Sequence, residues 1–365
     1  MNLISTLIFT CFCAYTALVG HRAAPLSGRQ ALDVLLTGAL FTLPYLFMPL
    51  LNRTFTGRFS SRNTITFSQL ALFLLMGAGA GVFCAVANGT AEKAVIGGLF
   101  CLVFLSGMIC AVYRSALRVY IAETLPKKLL PGAGAVTESS TFAGIMAGVT
   151  GAAVAAGLDF HRGAAGVVLM GLAFISLSLA TRLRPTLPPL PGGTPGTWFA
   201  VIRQEARGRE LLLTGVGESY LFGTIIFAAS LAVQYVSLNP GFLLKDPALE
   251  YAVMVAPLAG AGGGVILGAC LCRNNAETGL VPPASLMMAL ASLGIGVLPL
   301  VKDEVIEGCF LGVLLLLLGF FAGIALVPLQ AYQKFFVRKE LRSSFFAWFY
   351  LPFGVILLGA KNLIN

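Results

Sequence analysis

Long apolar stretches alternate with short polar loops along the whole chain. A helix needs about 20 mostly apolar residues to cross the hydrocarbon layer, because its backbone polar groups must all find partners within the protein. The first stretch has neither the basic start nor the small-residue cleavage site of a signal peptide, so we interpret it as a helix. Eleven stretches are long enough to be predicted membrane-spanning helices: residues 2–20, 31–52, 64–88, 93–117, 135–157, 163–182, 211–236, 249–273, 279–301, 305–330 and 343–363.

The loops between these stretches carry different charges on the two faces of the membrane. Loops 53–63, 114–134, 182–210, 273–278 and 334–342 hold 17 of the 24 Lys and Arg residues, and the opposite face holds 7. Cytoplasmic loops of membrane proteins carry the excess of Lys and Arg. The distribution therefore predicts that the N-terminus and the long middle loop lie in the cytoplasm.

The middle loop divides the chain into three predicted parts. These are an N-terminal helix bundle at 1–182, a cytoplasmic linker at 183–210 and a C-terminal bundle of five spans at 211–365. The first part of the linker is Pro-rich and cannot be helical. Its second part, 197–210, combines aromatic and aliphatic residues with arginines, which is typical of an amphipathic helix on the membrane surface. A solvated connector is the alternative interpretation.

The two halves resemble each other when the chain is shifted by 212 residues. Without gaps, Tyr120 then aligns with Tyr332, and Leu117 aligns with Leu329. Six spans separate the two copies, so both have the same orientation in the membrane. Parallel six-helix repeats of this kind predict an all-α protein with the major facilitator fold. A partner for span 163–182 would lie beyond the last residue, so one of twelve helices is missing: either the chain was cut from something longer or the helix is absent.

The composition excludes most other classes of protein. The chain is 58% hydrophobic and only 11% charged, with a mean hydropathy of +0.89, whereas soluble domains are about a quarter charged. The net charge of +9 is explained by basic loops that face anionic membrane lipids, without nucleic acid. Eight cysteines lie in apolar runs without a CxxC pair, and the chain has two histidines, so we expect no metal site and no cofactor. Without a GxSxG, Walker or HExxH motif, we assign no catalytic residue and expect no enzyme.

Ionisable residues inside the spans are the candidate functional groups, because a charge in hydrocarbon is costly. Glu218 lies deepest, and we interpret it as a contact for substrate or a gate, or as a carboxyl that is protonated or capped by a neighbouring helix. Glu138 lies about one turn into its span, within reach of Arg114 or Arg118 at the end of the preceding span. Those three residues form either a structural clamp at the cytoplasmic end or a substrate site. Few other charges lie within the spans, which favours facilitated movement of a solute or lipid over proton-driven transport.

Three segments resemble the lysophospholipid transporters of the major facilitator superfamily. The first is residues 120–142, which begin Tyr-Ile-Ala-Glu-Thr-Leu-Pro and end Glu-Ser-Ser-Thr-Phe. The others are residues 277–282 (Glu-Thr-Gly-Leu-Val-Pro) and residues 327–332 (Val-Pro-Leu-Gln-Ala-Tyr). The amphipathic part of the linker is also similar. Members of this family occur alone or fused to a phospholipid acyltransferase and an acyl-carrier-protein ligase. The resemblance implies roles for Glu138, Gln330 and Tyr332 in binding or gating.

Two departures from the family pattern affect the expected gating. The first span reads Tyr-Thr-Ala-Leu-Val at 15–19, where the family has Phe-Asn-Asp-Asn. In the first cytoplasmic loop Gly57 replaces the family's Asp, although Arg58 and Arg62 of that motif remain. The chain is therefore either a divergent transporter or a degenerate one.

The resulting hypothesis is a multi-pass transporter of the bacterial inner membrane that moves lysophospholipid inward for reacylation. Arg114 and Arg118 are the expected donors to the headgroup phosphate. One alternative is export of another amphipathic small molecule by a related facilitator. The other is a degenerate transporter domain that acts as a membrane scaffold for an acyltransferase, as partner or fusion. The expected partners are thus the amphipathic substrate and membrane lipids.

Overall fold

The computed structural model describes residues 1–23, 37, 39–41, 43–45, 59–87, 93–157, 162–186, 208–238, 247–272, 277–298 and 304–337. These residues form α-helices and two short 3₁₀ helices, with no strand among them, which confirms the predicted all-α class. The long helices are α1 (Asn2–Ala23), α2 (Ser61–Ala87), α3 (Lys93–Thr124), α4 (Leu130–Gly157), α5 (Arg162–Thr181), α6 (Gly208–Leu238), α7 (Pro247–Leu271), α8 (Val281–Val297) and α9 (Glu304–Phe336).

Each of these nine helices coincides with one predicted span. The predicted span 31–52 is described at only a few positions, and span 343–363 lies outside the described residues, as does the predicted amphipathic helix of the linker beyond residue 186. The predicted bundle boundaries therefore stay predictions.

Two helices are longer than the apolar stretches that predicted them. Helix α3 was expected to end at residue 117 but continues to Thr124, because residues 118–124 contain no Gly or Pro and the next proline is Pro126. Helix α9 was expected to end at residue 330 but continues to Phe336. Lys334, expected in a loop, is therefore helical.

Five of the described helices are long and apolar enough to cross a membrane: Ser61–Ala85, Gly97–Thr124, Ala164–Thr181, Thr278–Val297 and Ile306–Phe336. Their burial within the protein differs. Only 17% of the apolar window at Thr278–Val297 is buried, against 56% of the window at Ile306–Phe336. Helix α8 therefore leaves most of its surface exposed, whereas α9 is the more deeply buried helix of the two.

The described residues form two compact units, each with its own packing. The first comprises residues 1–124 and 147–186. In it, Phe12 of α1 packs against Phe83 of α2 with ring centroids 5.9 Å apart. Helices α2 and α5 approach closely at Gly166, where a Cβ would lie 2.7 Å from the Cβ of Ala80.

The second unit comprises residues 125–146 and 208–337, so it takes the first half of α4 together with α6 to α9. Its tightest packing is between α7 and α9, where both helices present glycines four residues apart. A Cβ at Gly260 would lie 2.9 Å from the carbonyl carbon of Leu316, and a Cβ at Gly319 would lie 2.8 Å from that of Pro257. Lipid gives helices no hydrophobic reason to associate, so small residues that allow close backbone contact hold this pair together.

Candidate functional site

Three helices of the second unit bring three buried polar side chains together. The Nε2 atom of Gln330 on α9 donates one hydrogen bond to Oε1 of Glu138 on α4, at 3.0 Å, and another to Oε1 of Glu218 on α6, at 2.8 Å. Glu218 is completely buried, and Glu138 and Gln330 are each 4% exposed. We call these three residues the bridged carboxylate pair.

The bridged carboxylate pair lies well inside the helices. Helix α4 begins at Leu130, five residues before the predicted start, since Pro131 is compatible with a first turn. Glu138 is therefore about two turns into its helix, although it lies only about one turn into the predicted apolar span. Glu218 follows the first residue of α6 by about 15 Å along the axis, at 1.5 Å per residue.

The geometry explains how two carboxyl groups coexist in an apolar interior. A buried carboxylate is tolerated when it accepts hydrogen bonds. The side-chain amide of Gln330 has two N–H donors, and each one serves a different carboxyl group. Two carboxylates that share one donor repel each other when both are ionised. A cation close to them is therefore stabilising.

Lys334 lies one turn beyond Gln330 on α9 and is 3% exposed. Its Nζ atom is 2.7 Å from the position that a Cβ on Gly134 would occupy, and Oε1 of Gln330 is 3.9 Å from the same position. The ammonium group thus occupies space that any larger residue at position 134 would take. The sequence had placed Lys334 in a cytoplasmic loop, so its participation was missed.

Gln333, which the sequence did not single out, directly precedes Lys334 in α9 and is completely buried. Residues three apart share a face of a helix, so Gln333 lies on the same side of α9 as Gln330. Neither its Nε2 nor its Oε1 has a hydrogen-bond partner among the described residues. Most buried amides in proteins have hydrogen-bond partners. Gln333 is therefore unusual in having unused hydrogen-bonding capacity among the described residues.

Aromatic rings lie one helical turn from each carboxyl group. Phe142 follows Glu138 by four residues on α4, and Phe222 follows Glu218 by four residues on α6. The two rings stack, with centroids 6.1 Å apart and planes inclined by 26°. Gly262 of α7 adds to this apolar wall, since a Cβ there would be 3.8 Å from the Cβ of Phe142. The second unit therefore places polar and apolar surfaces side by side.

The predicted arginines lie in the first unit. Arg118 is 5% exposed and lies within α3, as does Arg114. Pairing of either arginine with Glu138 stays a prediction. In the cytoplasmic loop motif, Arg62 donates from Nη2 to the carbonyl oxygen of Thr181 at 3.0 Å. Arg58 lies outside the described residues.

The two tyrosines that align in the repeat contact opposite ends of the middle loop. The Tyr120 hydroxyl accepts a hydrogen bond from the backbone N–H of Arg184, at 3.1 Å. The Tyr332 hydroxyl donates to Oε2 of Glu210 in the first turn of α6. Tyr332, predicted as a binding or gating residue, thus contacts the helix that follows the loop.

No cluster of three or more His, Cys, Asp or Glu side chains in the described part of the chain has an arrangement that would hold a metal ion.

No protein-family model and no curated protein matches the sequence, but solved structures do. The human organic anion transporter MFSD10 (TETRAN) is 14% identical, with a TM-score of 0.65 over 99% of this chain and 93% of that one. The proton:xylose symporter XylE, bound to 6-bromo-6-deoxy-D-glucose, is 14% identical, with a TM-score of 0.69 over 100% of this chain and 87% of that one. The transporter FucP in its outward conformation is 14% identical, with a TM-score of 0.59 over 98% and 97% of the two chains.

These similarities extend over nearly the full length of each chain, and the structures share an arrangement of apolar helices. The chain therefore has the fold of the major facilitator superfamily transporters, as its spans and internal repeat predicted.

Proposed function

We propose that this protein is a membrane transporter that moves lysophospholipid across the bacterial inner membrane for reacylation, with its N-terminus in the cytoplasm. The observation that carries the proposal is the bridged carboxylate pair, buried beside stacked aromatic rings in helices that are otherwise apolar. The fold shared with solved transporters supports movement of a solute, and the site chemistry supports an amphipathic one.

The energetic cost of the cluster argues for a functional role. Ionisable groups within membrane helices are rare because each costs a few kcal/mol or more, and those that occur usually serve a substrate or ion pathway. Glu138, Glu218 and Lys334 are all buried in the second unit. Close packing of helices does not need ionisable residues, because small apolar residues achieve it at a lower free-energy cost, as in the contact between α7 and α9.

The shape of the substrate follows from what lies around the cluster. A lysophospholipid has a polar headgroup and one acyl chain. The carboxyl groups and amides offer hydrogen bonds to the headgroup, and the stacked Phe142 and Phe222 offer apolar surface one turn away. The segments that resemble lysophospholipid transporters supply both Glu138 and Gln330, which supports this substrate over other amphiphiles.

The proposal is tested with the purified full chain in liposomes that contain a labelled lysophosphatidylethanolamine donor. The change Gln330→Leu removes the amide that joins the carboxyl groups, and we expect uptake to fall at least about tenfold, the effect of losing a hydrogen bond to a charged group. Asn63→Leu, which alters an exposed amide on α2, serves as the control and is expected to transport normally.

Two outcomes would favour the alternatives. Uptake of other amphiphiles without lysophospholipid would support an exporter of a different small molecule. Complete absence of flux from a folded protein would support a scaffold for an acyltransferase partner. Facilitated transport also predicts unchanged initial rates when an uncoupler removes the proton gradient, and strict dependence on that gradient would contradict it.

A further inference from the structure

We propose that the first residues of the middle loop, 182–186, form a strap that ties the ends of α2, α3 and α5 together, and that the opening of this strap limits the rate of transport. The role in transport rests on the proposed function, whereas the geometry of the strap lies entirely within the first unit. Thr186 acts through the helix ends that it joins, so it is a positioning residue rather than a contact for substrate.

The hydroxyl group of Thr186 joins the strap to the first turn of α2. Its Oγ1 atom lies 3.1 Å from Oγ of Ser61 and accepts a hydrogen bond from the backbone N–H of Arg62, at 3.2 Å. Ser61 donates its one hydroxyl proton to Oε2 of Glu123, at 2.6 Å. The proton between the two hydroxyl groups therefore comes from Thr186. One threonine hydroxyl thus both donates and accepts, in a chain of hydrogen bonds that runs from the strap through α2 to α3.

The start of α2 depends on acceptors from outside the helix. The first backbone N–H groups of a helix have no partner within it. Ser60, which precedes α2, accepts from the N–H of Asn63 at 3.3 Å, and Thr186 accepts from the N–H of Arg62. The contact with Thr186 spans 124 residues of the sequence. The order of the first turn of α2 is therefore coupled to the position of the strap.

Two further hydrogen bonds bring α5 and α3 to the same place. The Nη2 atom of Arg62 donates to the carbonyl oxygen of Thr181, the last residue of α5, at 3.0 Å. The backbone N–H of Arg184 donates to the hydroxyl oxygen of Tyr120 on α3, at 3.1 Å. Three helix ends therefore meet at the strap.

The strap is held weakly enough to open. Arg182, Arg184 and Pro185 are exposed, and hydrogen bonds join the strap to α2 and α3. Segments with exposed hydrogen bonds and few buried apolar contacts open at the lowest free energy in a protein. Three of the next five residues in the sequence are prolines, and Pro-rich segments act as semi-rigid spacers. A displacement of the middle loop is therefore passed to the strap.

A static brace is the alternative role for the same contacts. A brace stays closed while substrate moves, so weakening it lowers stability and takes no part in the transport cycle. The two roles predict different effects of a covalent lock. A lock stops a strap that has to open, and it leaves a brace working as before.

The test locks the strap with a disulfide in the full chain in liposomes. Combining Ser61→Cys with Thr186→Cys replaces two oxygen atoms 3.1 Å apart by sulfur atoms, which bond at about 2.0 Å, so a small movement closes the disulfide. We expect oxidation by copper phenanthroline to lower uptake of lysophosphatidylethanolamine at least about tenfold, because the opening step is blocked. Reduction is expected to restore uptake. Each single cysteine variant, oxidised in the same way, controls for the eight native cysteines and is expected to keep its uptake.

A second measurement follows the strap without reference to transport. Hydrogen exchange of the Arg62 amide in nanodiscs requires the strap to open, so the disulfide is expected to slow this exchange at least about tenfold. Thr186→Val removes both hydrogen bonds of the hydroxyl group and is expected to speed the exchange roughly fivefold. The same variant is expected to raise the maximal uptake rate about two- to fivefold without changing the half-saturating concentration.

Two variants show whether these effects belong to the hydroxyl group of Thr186. Thr186→Ser keeps a hydroxyl at this position and is expected to restore the original exchange and uptake rates. Thr181→Val makes the same chemical change at the end of α5, where the hydroxyl bonds to the carbonyl oxygen of Ser178 in its own helix. It is expected to leave the exchange of the Arg62 amide unchanged.

The inference is overturned if the disulfide forms and uptake stays the same, because the strap is then a static brace. It is also overturned if the disulfide does not form, or if Thr186→Val lowers the maximal rate or leaves the exchange of the Arg62 amide unchanged. Failure of the proposed function gives a different result. The original chain then takes up no lysophospholipid, while the exchange of the Arg62 amide still decides whether the strap opens.

Discussion

The close contact between α7 and α9 makes a sharp prediction for Gly264→Ala. A Cβ at this position would lie 2.7 Å from the carbonyl carbon of Phe320 and 3.0 Å from its Cα. Carbon atoms normally approach no closer than about 3.5 Å, and the carbonyl oxygen of Phe320 would lie nearer still, so the helices must separate by more than about 0.8 Å. The obstructing atoms belong to the backbone, and no change of rotamer relieves the contact.

Two opposing effects set the size of the change. Inserting a methyl group into a well-packed interface costs about 1–3 kcal/mol, and a backbone clash belongs at the upper end. Alanine is favoured over glycine within a helix by about 1 kcal/mol. The clash is therefore expected to win, with a net loss of about 2 kcal/mol.

The adjacent Gly263 provides the control. A Cβ there would lie 3.8 Å from the nearest atom of the Phe320 ring, which is an ordinary van der Waals distance. Gly263→Ala therefore gains the helix preference without a clash and is expected to be as stable as the original chain or more so.

The assay follows thermal unfolding of each purified variant in detergent by the amount of monomer that remains on size-exclusion chromatography. At about 2–4 °C per kcal/mol, the Tm of Gly264→Ala is expected to fall by roughly 4–8 °C. A Tm for Gly264→Ala at or above that of Gly263→Ala would refute the glycine contact as the basis of this packing.

The remaining predictions concern the site and the ends of the middle loop. Gly134→Ala places a methyl group 2.7 Å from the present position of Lys334 Nζ, so we expect lysophospholipid uptake to fall. The Tm should change little, because the flexible lysine side chain can move aside. Gly132→Ala meets nothing within 4 Å and is the control that should transport normally. Equal uptake by the two variants would contradict the role of Lys334. Tyr332→Phe is expected to speed amide hydrogen exchange in the first turn of α6, and Tyr120→Phe to speed it around residue 184, each by a few-fold; exchange that changes at the same segment in both variants would count against this assignment.

The apolar pattern was sufficient to predict where the helices are, but not where they end. The length of an apolar stretch reflects the thickness of the hydrocarbon layer. A helix, in contrast, ends where the sequence no longer supports helical backbone, for example near a proline. The residues after the apolar part of α3 include no Gly or Pro, and the helix stops only at Thr124, two residues before Pro126. Helix α9 extends past its apolar stretch for the same reason, which is why Lys334 was missed.

The candidate site was only partly predictable. The rule that charges in a membrane are costly identified Glu138 and Glu218 individually, and the family resemblance identified Gln330. Their association was not predictable, because Gln330 is separated by 192 residues from one carboxyl group and by 112 from the other. Gln333 gave no signal, since an amide beside an apolar stretch is indistinguishable from one at the membrane surface until its burial is known.

The internal repeat separates residues that serve the scaffold from residues that serve the site. Where the halves agree, at Tyr120 and Tyr332, both hydroxyl groups bond to the chain at an end of the middle loop. Two residues before these tyrosines the halves differ, since the first half has Arg118 and the second has Gln330. A guanidinium at position 330 would add a positive charge beside the carboxyl groups, whereas the neutral amide of Gln330 joins them without adding one. The departure from the repeat at Gln330 is therefore what lets the second unit join two buried carboxyl groups through one neutral amide.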